Sequence, residues 1–325
     1  MWQVVGHKWA VDLLKRALAS ERVAHAYLLT GPPQIGKRWL ALNFARALNC
    51  LSDNNEEKPC GQCLACSKIA HGSHPDVQII EGERGTLKID QMRTLRHEAA
   101  LSPLEGRWKV YIIRQMEQAT AEAANCLLKT LEEPPSSVIL VLTASEAEAL
   151  LPTIVSRCQV LNLRPLAIET VQKALQERWR VDAERAQLLA RLSGGRLGWA
   201  VTASQNDAIL DQRERHLDEM MELLGQGRVE RLEYAQRLSQ NPEAVPDLLH
   251  LWLSWWRDLL LVASESSAGI INVDREDTLR AQAQQYSLGQ VRDFVEALRA
   301  AVWRLEHNAN TRLTLEVLML SLPTR

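Results

Sequence analysis

Between His25 and Arg38 the chain reads HAYLLTGPPQIGKR, an apolar run followed by a glycine loop and the first residues of a helical segment. A strand that turns through glycines into a helix N-terminus aims backbone N–H groups at one spot, and a lysine there completes a cradle for phosphates. Gly31, Gly36 and Lys37 are the residues of that cradle. This layout calls for a parallel sheet with helices packed on it. One position departs from it: Arg38 stands where a Ser or Thr hydroxyl would hold Mg²⁺.

The segments after the loop fit a doubly wound α/β domain. An N-terminal helix is read over residues 1 to 24, with Val11, Leu14 and Leu18 on one stripe. Strands are expected at 26–30, 76–81, 109–113, 138–143 and 159–163, and helices at 39–48, 89–100 and 121–133. Thr120 caps the last of these helices and Pro134-Pro135 stops it. The ligand crevice of such a sheet lies at the carboxyl ends of its strands. In a nucleotide hydrolase of this class the 109–113 strand should end in Asp-Glu, one carboxylate for Mg²⁺ and one to activate water. Arg114-Gln115 stand there, and a cation at that place repels a divalent metal. Glu117, two residues on, is the alternative carboxylate, although it starts the next turn with a different reach.

Four of the six cysteines fall within Cys50–Cys66: Cys50, Cys60, Cys63 and Cys66. In a reducing compartment, thiols at this spacing read as a closed tetrahedral zinc site with a structural rather than catalytic role. His71 and His74 lie close by, but a complete set of thiolates leaves them as turn residues. The formal net charge of −2 argues against a chain that grips DNA alone, so any such contact is weak or shared with partners. No secretory signal is read, and the longest apolar run, 248–263, carries Arg257 and Asp258, which argues for a cytoplasmic chain without a membrane span.

With 325 residues and 46% apolar content, two or three domains are expected. From Pro165 onward the pattern is wholly helical. Segments 168–180, 183–192 and 197–204 fit a small helical lid, and longer helices follow from Ile209. Trp252, Trp255 and Trp256 sit in an apolar helix with few basic residues, so packing is favoured over base stacking.

These residues resemble the delta-prime family of clamp-loader subunits of bacterial DNA polymerase III, within the AAA+ superfamily, over nearly the whole chain. The likeness is carried by Val4-Val5-Gly6, His25-Ala26-Tyr27, the four cysteines, His74-Pro75-Asp76, the run Asn125–Pro135 containing LLKTLEEPP, Ser156-Arg157-Cys158, and Asn308–Leu313. It implies an AAA+ domain over 1–165 with the zinc module at 50–66, a lid over 166–207 and a collar, or oligomerisation, domain over 208–325.

The family's gamma or tau motor subunits share the zinc module and the Ser-Arg-Cys motif. They keep a Thr or Ser after the loop lysine, an acidic pair after the third strand and a lid arginine. Here Arg38, Arg114-Gln115 and Gly198 occupy those places, with Arg196 near enough that a shifted alignment restores the lid arginine. The resemblance therefore implies a non-hydrolysing member of the DNA polymerase holoenzyme, in a hetero-oligomeric ring with delta and gamma or tau. The ring loads the sliding clamp on primed DNA, and Arg157 reaches into a neighbour's ATP site. A motor using Glu117 is the alternative, and a zinc-stapled DNA-binding module is a third reading that the net charge disfavours. Retention of ATP is open: the cradle residues persist, while Pro32 and Pro33 delete two loop donors. Lys129–Glu133 either meets a neighbour or packs at home.

Overall fold

The computed structural model describes residues 2–54, 57–83, 85–266, 269–307 and 309–323; Asn308 of the C-terminal motif lies outside them. The chain divides into two compact units, Met1–Leu166 and Ala167–Arg325.

The first unit runs α1 (Lys8–Ala19), β1 (Ala26–Thr30), α2 (Lys37–Leu48), α3 (Leu64–Ala70), β2 (Val77–Ile80), α4 (Ile89–Ala99), β3 (Lys109–Ile113), α5 (Ala121–Glu132), β4 (Val138–Ala144), α6 (Pro152–Val155) and β5 (Gln159–Asn162). Its sheet has the order β2-β3-β4-β1-β5 and every pairing is parallel. The central strands β1, β3 and β4 are buried on both faces, which is why their sequences are largely apolar, whereas the edge strands β2 and β5 are partly exposed and carry Gln78, Gln159 and Asn162. Tyr27, Leu29, Val110, Ile112 and Val141 face α1, α2 and α3, whereas Leu28, Tyr111, Ile113, Leu140 and Leu142 face α4, α5 and α6. The register sets Thr30 beside Ala144 and Ile113 beside Leu142, so the loops after β1, β3 and β4 emerge side by side.

The expected helix over 1–24 is shorter, Lys8–Ala19. Gly6 and His7 both take positive φ, 66° and 48°, which ends helical geometry before Lys8. A side chain at Gly6 would also meet Leu166, with a Cβ only 2.3 Å from Cδ2.

The His-Pro-Asp motif is a clamp. The buried Asp76 carboxylate accepts backbone N–H bonds from Leu104, Glu105 and Gly106 at 2.7–2.8 Å, and His74 Nδ1 accepts from Asp76 N at 3.1 Å. Asn49 Oδ1 holds the next residue but one, accepting from Trp108 N at 2.9 Å. Burial pushes the Asp76 pKa up, but the three N–H bonds and His74 outweigh it and hold the group below 3.8. A depressed carboxylate stabilises the fold fully above that value, and its contribution is lost as pH falls through the folded pKa. Asp76→Asn is therefore expected to cost about 2–3 kcal/mol at neutral pH. In urea titrations at pH 7 and pH 3, the gap between variant and wild type should narrow at the lower pH; an equal gap at both would overturn this account.

The second unit is helical: α7 (Ile168–Trp179), α8 (Ala183–Leu192), α9 (Leu197–Gln205), α10 (Ala208–Gly225), α11 (Arg228–Ser239), α12 (Val245–Ala263), α13 (Glu276–Ala283), α14 (Leu288–Glu306) and α15 (Thr311–Leu320). Trp252, Trp255 and Trp256 of α12 are completely buried, so they build its core. Trp256 meets Phe294 edge-on at 4.6 Å, and Trp255 Nε1 donates to Gln282 Oε1 at 2.9 Å. Asn310, from the C-terminal motif, caps α15 by accepting from Leu313 N. Among the described residues no helix is long and apolar enough to cross a membrane.

Candidate nucleotide loop, arginine motif and metal centre

The glycine loop is built at the carboxyl end of β1. Gly31 N donates to Ser145 O at 2.9 Å, and a Cβ at Gly31 would lie 2.3 Å from Leu163 O, so only glycine fits. Ile35 is buried and anchors the loop, and its carbonyl lies 3.3 Å from His7 Nε2. Gly36, at φ 112°, starts α2. Lys37 Nζ donates to Gly31 O and, at 3.0 Å, to Pro32 O, so the lysine closes on the loop's own carbonyls. Burial pulls its pKa down to about 8, with Glu117 opposing and Arg114 assisting that shift. Arg38 is exposed.

Arg114 follows β3 and its Nη1 donates to Glu81 Oε1 at 2.6 Å. The position after β3 thus holds a cation already paired to an acid. The turn after β3 brings Glu117 to the residue that follows β4. Gln115 takes φ 50° and donates its N–H to Thr143 Oγ1, and residues 116–118 form a 3-10 turn. Glu117 Oε1 then accepts from Ser145 N at 3.1 Å, while its Oε2 is buried without a hydrogen-bond partner among the described residues. Its charge acts on Lys37. In the second unit, Arg196 turns inward: its Nε donates to Ser193 O at 3.0 Å, and Asp247 supports its charge.

Arg157 follows α6. Its Nη1 donates to Thr153 O at 2.9 Å, and its Nη2 donates to Glu132 Oε1 at 2.8 Å. Glu132 closes α5 within the LLKTLEEPP run, so two motifs far apart in sequence meet here. The Arg157 side chain is 35% exposed, whereas burial pushes the neighbouring Cys158 thiol up to about 12. Cys158 packs against the apolar cluster on the α5 face and fixes the turn that presents the arginine.

The four cysteine sulfurs of the 50–66 module lie within 4.8 Å of one another. Four sulfurs bound to zinc at about 2.3 Å stand about 3.8 Å apart, so this cage fits such an ion with a small contraction. Backbone N–H groups already point at sulfur: Cys60 N to Cys50 Sγ and Cys63 N to Cys60 Sγ at 3.3 Å, and Cys66 N to Cys63 Sγ at 3.5 Å. N–H bonds from Gln62 and Cys63 draw the Cys60 thiol down to about 6, while burial raises Cys50 and takes Cys66 to about 12. Neither histidine joins the cage: His71 Nδ1 faces Ser67 O, and His74 serves the Asp76 clamp.

Residues 6–167 match the family described as DNA polymerase III, delta subunit, and residues 208–324 match DNA polymerase III, delta subunit, C terminal. The chain is 32% identical over 319 residues to DNA polymerase III subunit delta' of Bacillus subtilis, covering 96% of this chain and 94% of that one. It is 33% identical over 265 residues to the Pseudomonas aeruginosa subunit of the same name, covering 77% and 75%. DNA polymerase III subunit tau of Escherichia coli is 34% identical over 199 residues, 60% of this chain and 31% of that one.

Proposed function

This chain belongs to the delta' family of DNA polymerase III subunits, and we propose that it is a non-hydrolysing clamp-loader subunit that completes a neighbour's ATP site with Arg157. The observation that carries this is the Arg114–Glu81 pair at 2.6 Å, which puts a neutralised cation where hydrolysis needs magnesium carboxylates. Arg157, held but partly exposed, supplies what a neighbour lacks. Its partners would be gamma or tau and delta subunits, with the sliding clamp and primed DNA engaged through the assembled ring.

Residues 166–207 would act as the AAA+ lid and 208–325 as the collar. On α15 the exposed Leu313, Val317 and Leu320 recur at helical spacing, apolar area suited to a collar partner. Cys50, Cys60, Cys63 and Cys66 would hold a structural zinc, which cross-links the segment after α2 when bound. In the loop, Lys37 occupies the carbonyls of Gly31 and Pro32, so a phosphate must draw it away before Gly31, Gly36 and Lys37 can hold a nucleotide.

Glu117 favours a second reading, a gamma/tau-like motor, because an unpartnered carboxylate oxygen beside the loop lysine could serve the chemistry. ATP hydrolysis by the purified chain separates the two. We expect no turnover alone, and turnover when gamma or tau, delta, clamp and primed DNA are added. Turnover by the isolated chain that disappears in Glu117→Gln would establish the motor reading instead.

A further inference from the structure

Arg46 sits in the last turn of α2, four residues before Cys50, and is 6% exposed. Among the described residues its Nε has no hydrogen-bond partner and no carboxylate pairs with its guanidinium. A buried cation without a counter-charge is costly, and folded proteins pair such groups. What surrounds this one is the cysteine module. The Arg46 carbonyl accepts from Cys66 Sγ at 3.8 Å, and a Cβ placed on Gly61 would be 3.5 Å from its Nη2, so the guanidinium lies against the knuckle that carries Cys60 and Cys63. The empty cage offers this cation at most the one thiolate of Cys60. A dication held by four thiolates forms a doubly negative cluster.

We propose that Arg46 is the counter-charge of the cysteine metal centre, a positioning residue that holds the anionic cluster without ligating the metal. This rests on the zinc reading above. Removing an outer-sphere partner of a metal site typically lowers metal affinity by about 10–100-fold.

The test uses the full chain, with zinc affinity measured by competition against a chelating dye and stability measured with and without metal. Arg46→Met should bind zinc about 10–100-fold more weakly, and Arg46→Lys, which keeps the charge, should recover most of the loss. In the metal-free chain the sign should change: the Met variant should be as stable as wild type or more so, because an unpaired buried charge has been removed. Wild-type affinity in Arg46→Met would overturn the assignment. So would equal destabilisation with and without zinc, which marks a purely structural role. A wild-type chain that takes up no zinc would remove the metal centre itself and the inference with it, a result distinguishable from either.

Discussion

Arg157→Ala is expected to lower ATP turnover at the neighbouring site by about 10³-fold or more, in a ring reconstituted from full-length subunits with clamp and primed DNA. Ring assembly, followed by gel filtration, should be unchanged, because the Arg157–Glu132 pair is solvent-exposed and such pairs contribute little to stability. The size of the effect follows from what an arginine can do at a phosphoryl group. Its planar fork carries five N–H donors and a charge that neutral pH cannot remove. Thr153 O, Ser156 Oγ and Glu132 occupy part of the fork, leaving Nε–H and one Nη2–H with no partner among the described residues. Those donors, presented by a turn that the partly buried Cys158 packs against the α5 face, are the ones a γ-phosphate could accept.

Arg157→Lys should restore little of the activity, since an ammonium keeps the charge but not the fork. Glu132→Gln should give an intermediate loss, seen in turnover rather than in nucleotide KM, because Glu132 pairs with the guanidinium and would act on the reaction only through it. Single-turnover hydrolysis isolates the site in question from the others in the ring. Rates for Arg157→Ala that match wild type would remove the arginine from the reaction.

The sheet is legible because its central strands are buried on both faces: VILVLT and KVYII stand out against amphipathic neighbours, and each of the five strands lies within a residue or two of its expected bounds. The edges of elements were less so. Periodicity carried the first helix through Gly6 and His7, whose positive φ values only the tertiary setting explains. The short helices α3 and α6 were not anticipated, since seven and four residues give no periodic signal. The clustering of the four cysteines could be read from spacing alone, but Arg46 beside them could not, because an arginine on a helix is ordinarily a solvated charge. Glu117 was assigned a different reach, and the 3-10 turn after Gln115 brings it to Ser145. The Arg157–Glu132 contact joins residues 25 apart and leaves no local trace in either motif.

Zinc removal should have the other large effect, and it should be local. The purified chain is expected to carry one zinc, and Cys66→Ser to carry well under one. In small zinc domains the bound ion contributes about 10–16 kcal/mol at neutral pH, and that binding energy is folding energy. Here the α/β core has its own burial, so the sheet should survive while the 50–70 segment opens. The helix it would lose, α3, is only seven residues long and rests on Ala65, Cys66 and Ile69 against α2. A helix that short does not persist without tertiary support.

Hydrogen exchange should therefore rise in residues 60–70 of Cys66→Ser, and of wild type after chelation, with β1, β3 and β4 still protected. Affinity should also fall as pH is lowered, because binding displaces protons from thiols and burial keeps Cys50 and Cys66 protonated in the empty cage. Cys60, already drawn to about 6, is the thiolate best placed to capture the ion first. Cys60→Ser should accordingly slow uptake, whereas Cys66→Ser, at the buried corner, should mainly speed release. A Cys66→Ser chain with wild-type exchange at residues 60–70 would mean that the cysteines pack as ordinary buried thiols, and that α3 is held by its apolar contacts alone.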